Sequence, residues 1–313
     1  MATYDNTHRA FLQVFLSRGS LTFDESKPIL AAIWNAQNTD EQETEPENIT
    51  LDDFNSYIQS VNTAISPFDF EIRSTIAQDP AKQSSNPPTR LYALVNTTSD
   101  AISQLSTTHS ADEIAFLKRV LDSMFETHNT RRNEILAVTS MQALALSRPP
   151  QSSHHVNGDT STQTAAQQGL TKTEAERCLE SLVAEGWLCL SRKGYYRLSP
   201  RALMELRTWL VDTYNIPAED DDDSTAVTKV KSCNGCGEIV IVGQRCADLD
   251  CLVRVHDHCL RNVLRAAGGE VCPGCKRSWT GDVFVGEKAA QMSRSTGGAR
   301  QSAVTNGAHS DSE

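Results

Sequence analysis

"CADLDCLVRVHDHC", residues 246–259, carries three cysteines and two histidines in fourteen positions. Such a density of thiols and imidazoles points to metal or to disulfides, and the rest of the chain decides between them. Seven of the nine cysteines fall between Cys233 and Cys275, in close pairs: Cys233 with Cys236, Cys246 with Cys251, Cys272 with Cys275. Cys178 and Cys189 stand apart and read as packed thiols. The N-terminus, "MATYDNTHRAF", lacks the basic-then-apolar layout of a signal peptide, and no apolar run approaches the ~18 residues that span a bilayer. The chain is therefore expected to be soluble and intracellular with no membrane partner. Cysteines crowded into one segment there are metal ligands rather than disulfides.

Zinc takes four ligands at tetrahedral angles, and two thiolates separated by a short turn reach one ion without strain. Three cysteine pairs make six ligands, and two complete sites need eight. Cys259 supplies the seventh, and His256 or His258 the eighth. His256 lies three residues before Cys259, the interval of the other close pairs, whereas His258 is adjacent to Cys259 and points elsewhere. The choice is His256, with His258 exposed or donating to a ligand. The order of ligands suggests interleaving: Cys233, Cys236, His256 and Cys259 on one Zn²⁺, and Cys246, Cys251, Cys272 and Cys275 on a second. No Phe, Tyr or Trp lies between Cys233 and Cys275, so metal must supply most of the folding energy of this segment. From Lys229 to Val285 there are eight Lys plus Arg against six Asp plus Glu, and the excess offsets part of the thiolate charge.

Upstream, two blocks share one order of elements. In the first, Phe11 and Phe15 share a helix face and Gly19 stops it. Thr22 and Glu25 form a capping-box spacing ahead of Ile29, Leu30, Ile33 and Trp34. An acidic loop, "TDEQETEPEN", intervenes before Phe54, Ile58, Val61 and Ile65 recur as one apolar stripe. "FDFEIRSTI" then alternates Phe68, Phe70 and Ile72, and "RLYALV" follows as a second strand. In the second block Ser110 and Glu113 cap a helix bearing Ile114, Leu117, Leu121 and Met124. A helix over about 131–147 precedes a flexible insertion, and Thr171 and Glu174 cap a helix bearing Ala175, Cys178, Leu179 and Leu182. "WLCLS", "RKG" and "YYRLS" read as strand, turn and strand, and Ser199-Pro200 opens a last helix with Leu203, Leu206 and Trp209. Three helices and a hairpin is the order of a winged helix.

The expected fold is mainly α with small β-hairpins: two tandem winged-helix domains followed by a cross-brace RING-like zinc domain. The boundaries are 1–105, 106–215 with a flexible insertion at about 147–168, an acidic linker at 216–228, the zinc domain at 229–285, and a disordered tail at 286–313. Net charge is -11 with a pI near 5.2, which argues against a general nucleic-acid coat. "LDDFNS" puts carboxylates at the start of the third helix, and only Arg192-Lys193 in the wing turn is purely basic. The winged helices are accordingly read as protein-binding surfaces, with any DNA contact made through an assembled complex.

Eight-ligand layouts serve either histone-tail readers or RING fingers. Methyl-lysine reading uses an aromatic cage, and this segment has no aromatic between its first and last ligands. "CPGC" with Pro273 resembles the second RING loop, and "GEIVIV" after Cys236 offers Ile239 and Val240 as apolar contacts for a ubiquitin-conjugating enzyme. A RING positions the charged enzyme and forms no covalent bond with ubiquitin, so no catalytic nucleophile is expected.

With "THRAFLQVFLSRG", "RLYALVN", "TEAERCLESLVAEGW" and the segment from Cys233 through Trp279, the chain resembles the non-structural maintenance of chromosomes element 1 family over about residues 4–285. That family supplies the RING-like subunit of the structural maintenance of chromosomes (SMC) 5/6 complex. The resemblance implies a nuclear protein of DNA repair and recombination, bound to a MAGE-type subunit and a kleisin subunit. It also implies an E3 ubiquitin ligase activity enhanced by the MAGE partner. Many active RING fingers carry a branched apolar residue just before the second ligand, where this chain has Gly235, so the expected ligase works with its partner rather than alone. The alternative is a non-catalytic assembly subunit whose zinc module completes a protein interface.

Overall fold

Helix α1 (Asn6–Arg18) starts at Asp5, whose carboxylate accepts the Thr7 and His8 N–H groups, and ends at Gly19 with φ 74°. A strand follows at once, β1 (Ser20–Thr22), and then α2 (Phe23–Gln37), whose entry is held by Thr22 and Glu25 bonding reciprocally. Thr50 and Asp53 form a second capping box ahead of α3 (Leu51–Ile65). Strands β2 (Phe70–Ile76) and β3 (Arg90–Asn96) complete an antiparallel sheet of order β1-β3-β2. The computed structural model describes residues 4–37, 43–78, 88–97, 105, 108–149, 169–217 and 226–292.

The apolar stripes meet in one core. Phe11, Phe15, Leu30, Phe54, Val61, Ile65 and Tyr92 are all buried there. Phe54 meets Tyr92 edge to face at 4.7 Å between ring centroids. Helix–strand–helix–helix–strand–strand is the winged-helix order, and the spacing of the core residues accounts for it. Two details depart from the expectation. β1 leaves no mark in the sequence, because three residues are too few to show alternation. Phe68 ends a 3-10 turn (Ser66–Phe68) rather than beginning the strand, and is 71% exposed.

The same order recurs: helix Ala111–Asp122, strand Val138–Thr139, helix Ser140–Ala145, helix Lys172–Ala184, and strands Leu188–Leu190 and Tyr195–Leu198. Ser110–Glu113 and Thr171–Glu174 are capping boxes, as their spacing predicts. Two further helices follow, Pro200–Glu205 and Arg207–Tyr214. None of the described helices is long and apolar enough to cross a membrane.

Two compact units make up the chain. One comprises Met1–Arg119, Met141–Arg192 and Leu198–Thr213; the other Val120–Ser140, Lys193–Arg197 and Tyr214–Glu313. The second unit holds the cysteine-rich segment. Its small sheet has strand Gly243–Arg245 at the centre, flanked by Arg254–Val255 and Phe284–Val285, all antiparallel. Helix Asp257–Ala267 begins directly after His256 and stops at Gly268 in the left-handed region.

Three expectations need correction. The helix over 131–147 is present only at Ser140–Ala145. Residues 128–137 are irregular because Leu136 sits at φ 48° and the Glu134 backbone bridges to Val285. The linker at 216–228 has tied ends, with Asn215↔Thr228 and Ile216↔Val227 paired. The tail does not begin at 286: residues 287–292 are helical, with Ala289 and Ala290 buried. The insertion from 150 to 168, the acidic run 218–225 and the tail beyond 292 lie outside the described residues.

Candidate metal centre

The first and last cysteine pairs sit on identical turns. The Cys233 N–H donates to the Glu238 carbonyl, and the Gly237 N–H returns to the Cys233 carbonyl. The Cys272 N–H likewise donates to the Arg277 carbonyl, and the Lys276 N–H to the Cys272 carbonyl. In both turns the residue fifth from the start is left-handed, Gly237 at φ 76° and Lys276 at φ 62°. These turns bring each second cysteine back beside the first. In the first turn the thiolate position also accepts a backbone donor, with Gly235 N–H at 3.3 Å from Cys233 Sγ.

Ligand atoms of Cys233, Cys236, His256 and Cys259 lie within 4.8 Å of one another, and so do those of Cys246, Cys251, Cys272 and Cys275. The pairs interleave as their order along the chain suggests. Thiolate ligands ~2.3 Å from one tetrahedral ion stand about 3.8 Å apart. Here Cys246 Sγ is 3.5 Å from Cys275 Sγ, and Cys251 Sγ is 3.6 Å from Cys272 Sγ. The donors therefore fit two zinc ions.

The histidine choice follows the geometry. His256 Nδ1 is 3.3 Å from Cys236 Sγ, while Nε2 faces the Ile239 carbonyl at 3.3 Å. Donation from Nε2–H to that carbonyl leaves the Nδ1 lone pair for the metal. His258 is outside the cluster and stacks on His256 with ring centroids 4.9 Å apart. Burial, and then the neighbouring His256, push His258 down to about 4, so it is neutral near pH 7. Burial first, then the neighbouring cysteines, push Cys246 up to about 12.

One buried carboxylate gives no sign of itself in the sequence. Glu134, from the irregular stretch ahead of strand Val138–Thr139, accepts from Arg254 Nε at 2.6 Å and Lys231 Nζ at 2.7 Å, with Arg245 Nη1 at 3.3 Å. Arg254 also donates to the Cys251 and Val253 carbonyls, each at 2.8 Å, and Arg245 Nε to the Cys246 carbonyl at 3.3 Å. Two arginines thus adjoin the four-cysteine cluster, and Glu134 ties Lys231 to them. A surplus of two positive charges matches the double negative charge that four thiolates and one Zn²⁺ would carry. Nothing local marks Glu134 for this, because its partners lie about a hundred residues on.

Of the three expected conjugating-enzyme contacts, two are corrected. Ile239 and Val240 are each 2% exposed, so they build the module's interior, since four consecutive apolar residues pack inward here. Pro273 is half-buried and remains at the surface. Leu252, which follows Cys251, is 59% exposed.

Gly235 has a packing reason. A Cβ there would stand 2.9 Å from Val263 Cγ2 and 3.0 Å from Cys259 Cβ. Gly235→Ile is therefore expected to overpack the first cluster and destabilise it by about 1–3 kcal/mol. Chelator competition and thermal denaturation would measure this; an unchanged affinity would show that the helix yields.

A helical, small-sheet fold with a winged-helix core and two interleaved four-donor clusters defines a winged-helix protein with a RING-like module. A family model described as "RING-like domain" matches residues 233–275, and one described as "Nse1 non-SMC component of SMC5-6 complex" matches residues 8–206. The chain belongs to this Nse1 family. It is 22% identical to the human non-structural maintenance of chromosomes element 1 homolog, covering 90% of this chain and 87% of that protein. The Mus musculus homolog is 24% identical over 89% and 85%, and the Schizosaccharomyces pombe protein 22% over 78% and 84%. Among solved structures, a chain described as "Nse1-Nse3-Nse4 complex" matches with a TM-score of 0.64 and 20% identity, over 90% of this chain and 99% of that one. That likeness concerns the fold.

Proposed function

We propose that this chain is the RING-like subunit of an SMC5-6-type complex, acting in the nucleus in DNA repair and recombination. It docks on a MAGE-type subunit and a kleisin subunit, in keeping with the matched chain, which belongs to an Nse1-Nse3-Nse4 complex. Two Zn²⁺ are held by Cys233, Cys236, His256 and Cys259, and by Cys246, Cys251, Cys272 and Cys275. The ions supply rigidity and charge neutralisation, and the chain's own residues do the positioning. The observation that carries this reading is the interleaved clustering of the eight donors in a chain of this family.

In the complex the module acts as a ubiquitin ligase by holding a charged conjugating enzyme in a reactive pose. Pro273 and Leu252, each directly after a ligand of the four-cysteine cluster, are apolar contacts left at the surface. Gly235 adds no side chain to that contact, so the MAGE-type partner must supply the remainder. The complex is expected to accelerate ubiquitin discharge from a charged conjugating enzyme by about tenfold or more, which asks for only ~1.4 kcal/mol of barrier lowering. The isolated chain should do little. Single-turnover discharge onto free lysine, with and without the partner, decides it. Absence of acceleration by the complex leaves the second reading, a non-catalytic assembly subunit, which the buried Ile239 and Val240 favour.

A further inference from the structure

A third group of donors belongs to the first unit, outside the cysteine-rich segment. His109 precedes helix Ala111–Asp122, Glu113 is in its first turn, and Cys178 is on helix Lys172–Ala184. One ligand atom from each lies within 4.8 Å of the others. The His109 side chain is only 5% exposed, and Cys178 is buried.

The imidazole is oriented from behind. His109 Nε2 is 3.0 Å from the Glu185 carboxylate, whose other oxygen accepts from Ser181 Oγ at 2.7 Å. This is the arrangement in which a carboxylate fixes a metal-binding histidine and raises its basicity. With Nε2–H given to Glu185, Nδ1 faces Glu113 at 3.7 Å. That separation is too long for a hydrogen bond. It is near the ~3.4 Å that separates nitrogen and oxygen ligands on one tetrahedral ion. A lone pair facing a carboxylate across such a gap is unfavourable, and a cation between them relieves it, as a second proton on the ring would. The oxygen that faces the imidazole, Glu113 Oε2, also takes the Ser110 N–H and hydroxyl at 2.8 and 3.0 Å, so the cap holds the carboxylate in place beside the ring. Imidazole, carboxylate and thiolate together suit a first-row divalent ion, zinc above all.

We infer that His109, Glu113 and Cys178 form a third zinc site, with Glu185 positioning His109 and water completing the coordination. The ion fastens helix Ala111–Asp122 to helix Lys172–Ala184, the first and third helices of the second winged-helix order. The inference does not depend on the ligase reading, because none of its residues belongs to the RING-like module.

The test is metal content of the full chain after equilibration with Zn²⁺ and removal of loose ions, with ¹¹³Cd²⁺ resonances as the second readout. Three zincs per chain are expected, falling to two in Cys178→Ser and in Glu113→Gln. The glutamine retains the capping oxygen but not the charge, so this second variant guards against a folding defect at the buried cysteine. A third cadmium signal, well upfield of the two thiolate-rich ones and lost in both variants, is expected. Two zincs in the unmodified chain, or a third unaffected by both substitutions, would overturn the proposal. The first result would assign the cluster to an imidazolium held between Glu113 and Glu185. Loss of the module's own metals in Cys246→Ser bears only on the RING-like sites.

Discussion

Glu134→Ala is expected to destabilise the second unit by about 3–5 kcal/mol, the cost of stripping one partner from a buried ionic cluster. Arg254, 1% exposed, would keep its carbonyl contacts but lose both bonds to the carboxylate, and Lys231 and Arg245 would face each other without an anion. Chemical denaturation followed by tryptophan emission, with zinc release recorded in parallel, would read the loss. Lys231→Met in the same background should recover part of it, because it removes the one positive charge left in excess when the carboxylate is gone. A loss below ~1 kcal/mol would show that these cations are satisfied without Glu134. Burial alone would raise the Glu134 carboxyl, but Arg254 and Lys231 outweigh it and hold the group below the ordinary carboxylate range. Its contribution is therefore complete above the ordinary glutamate range and is lost as pH falls through the lowered value. A module cut at 229 would lack this carboxylate. Residues 229–285 expressed alone should behave like Glu134→Ala.

The other large effect concerns the two histidines. His256→Ala is expected to empty the first cluster and unfold the stretch around it, since structural zinc contributes on the order of 10–16 kcal/mol to small zinc modules near neutral pH. The segment between Cys233 and Cys275 has no aromatic side chain with which to compensate. His258→Ala should retain both ions and cost little, as its ring only stacks on His256. Native mass spectrometry gives the metal count for each variant, and limited proteolysis reports the unfolding. Equal retention of zinc by both variants would mean that the Nδ1 of His256 is not a ligand.

These two predictions differ in how their residues could be found. The eight donors were legible because zinc ligation is a matter of local turns: two ligands three or five residues apart share one ion wherever the turn is placed. His256 could be told from His258 because neighbouring side chains diverge while a spacing of three converges. Capping boxes at Thr22, Ser110 and Thr171 were legible for the same local reason, since each closes within three residues.

Spacing carries no information about partners that are distant in the chain. Ile239 and Val240 form an apolar run that suits a docking surface or a core equally well, and only packing decides for the core. The helix expected over 131–147 was lost because Glu134 is drawn 120 residues along the chain to Arg254, and the stretch carrying it is pulled into bridges. By itself the amino-acid sequence determined which eight donors cluster, their pairing and most of the helices and strands, since turns and caps close over a few residues. The tertiary structure alone decided which carboxylate balances the buried cations and which apolar residues face water. Those outcomes depend on desolvation, which exists only after distant segments have closed around the same space.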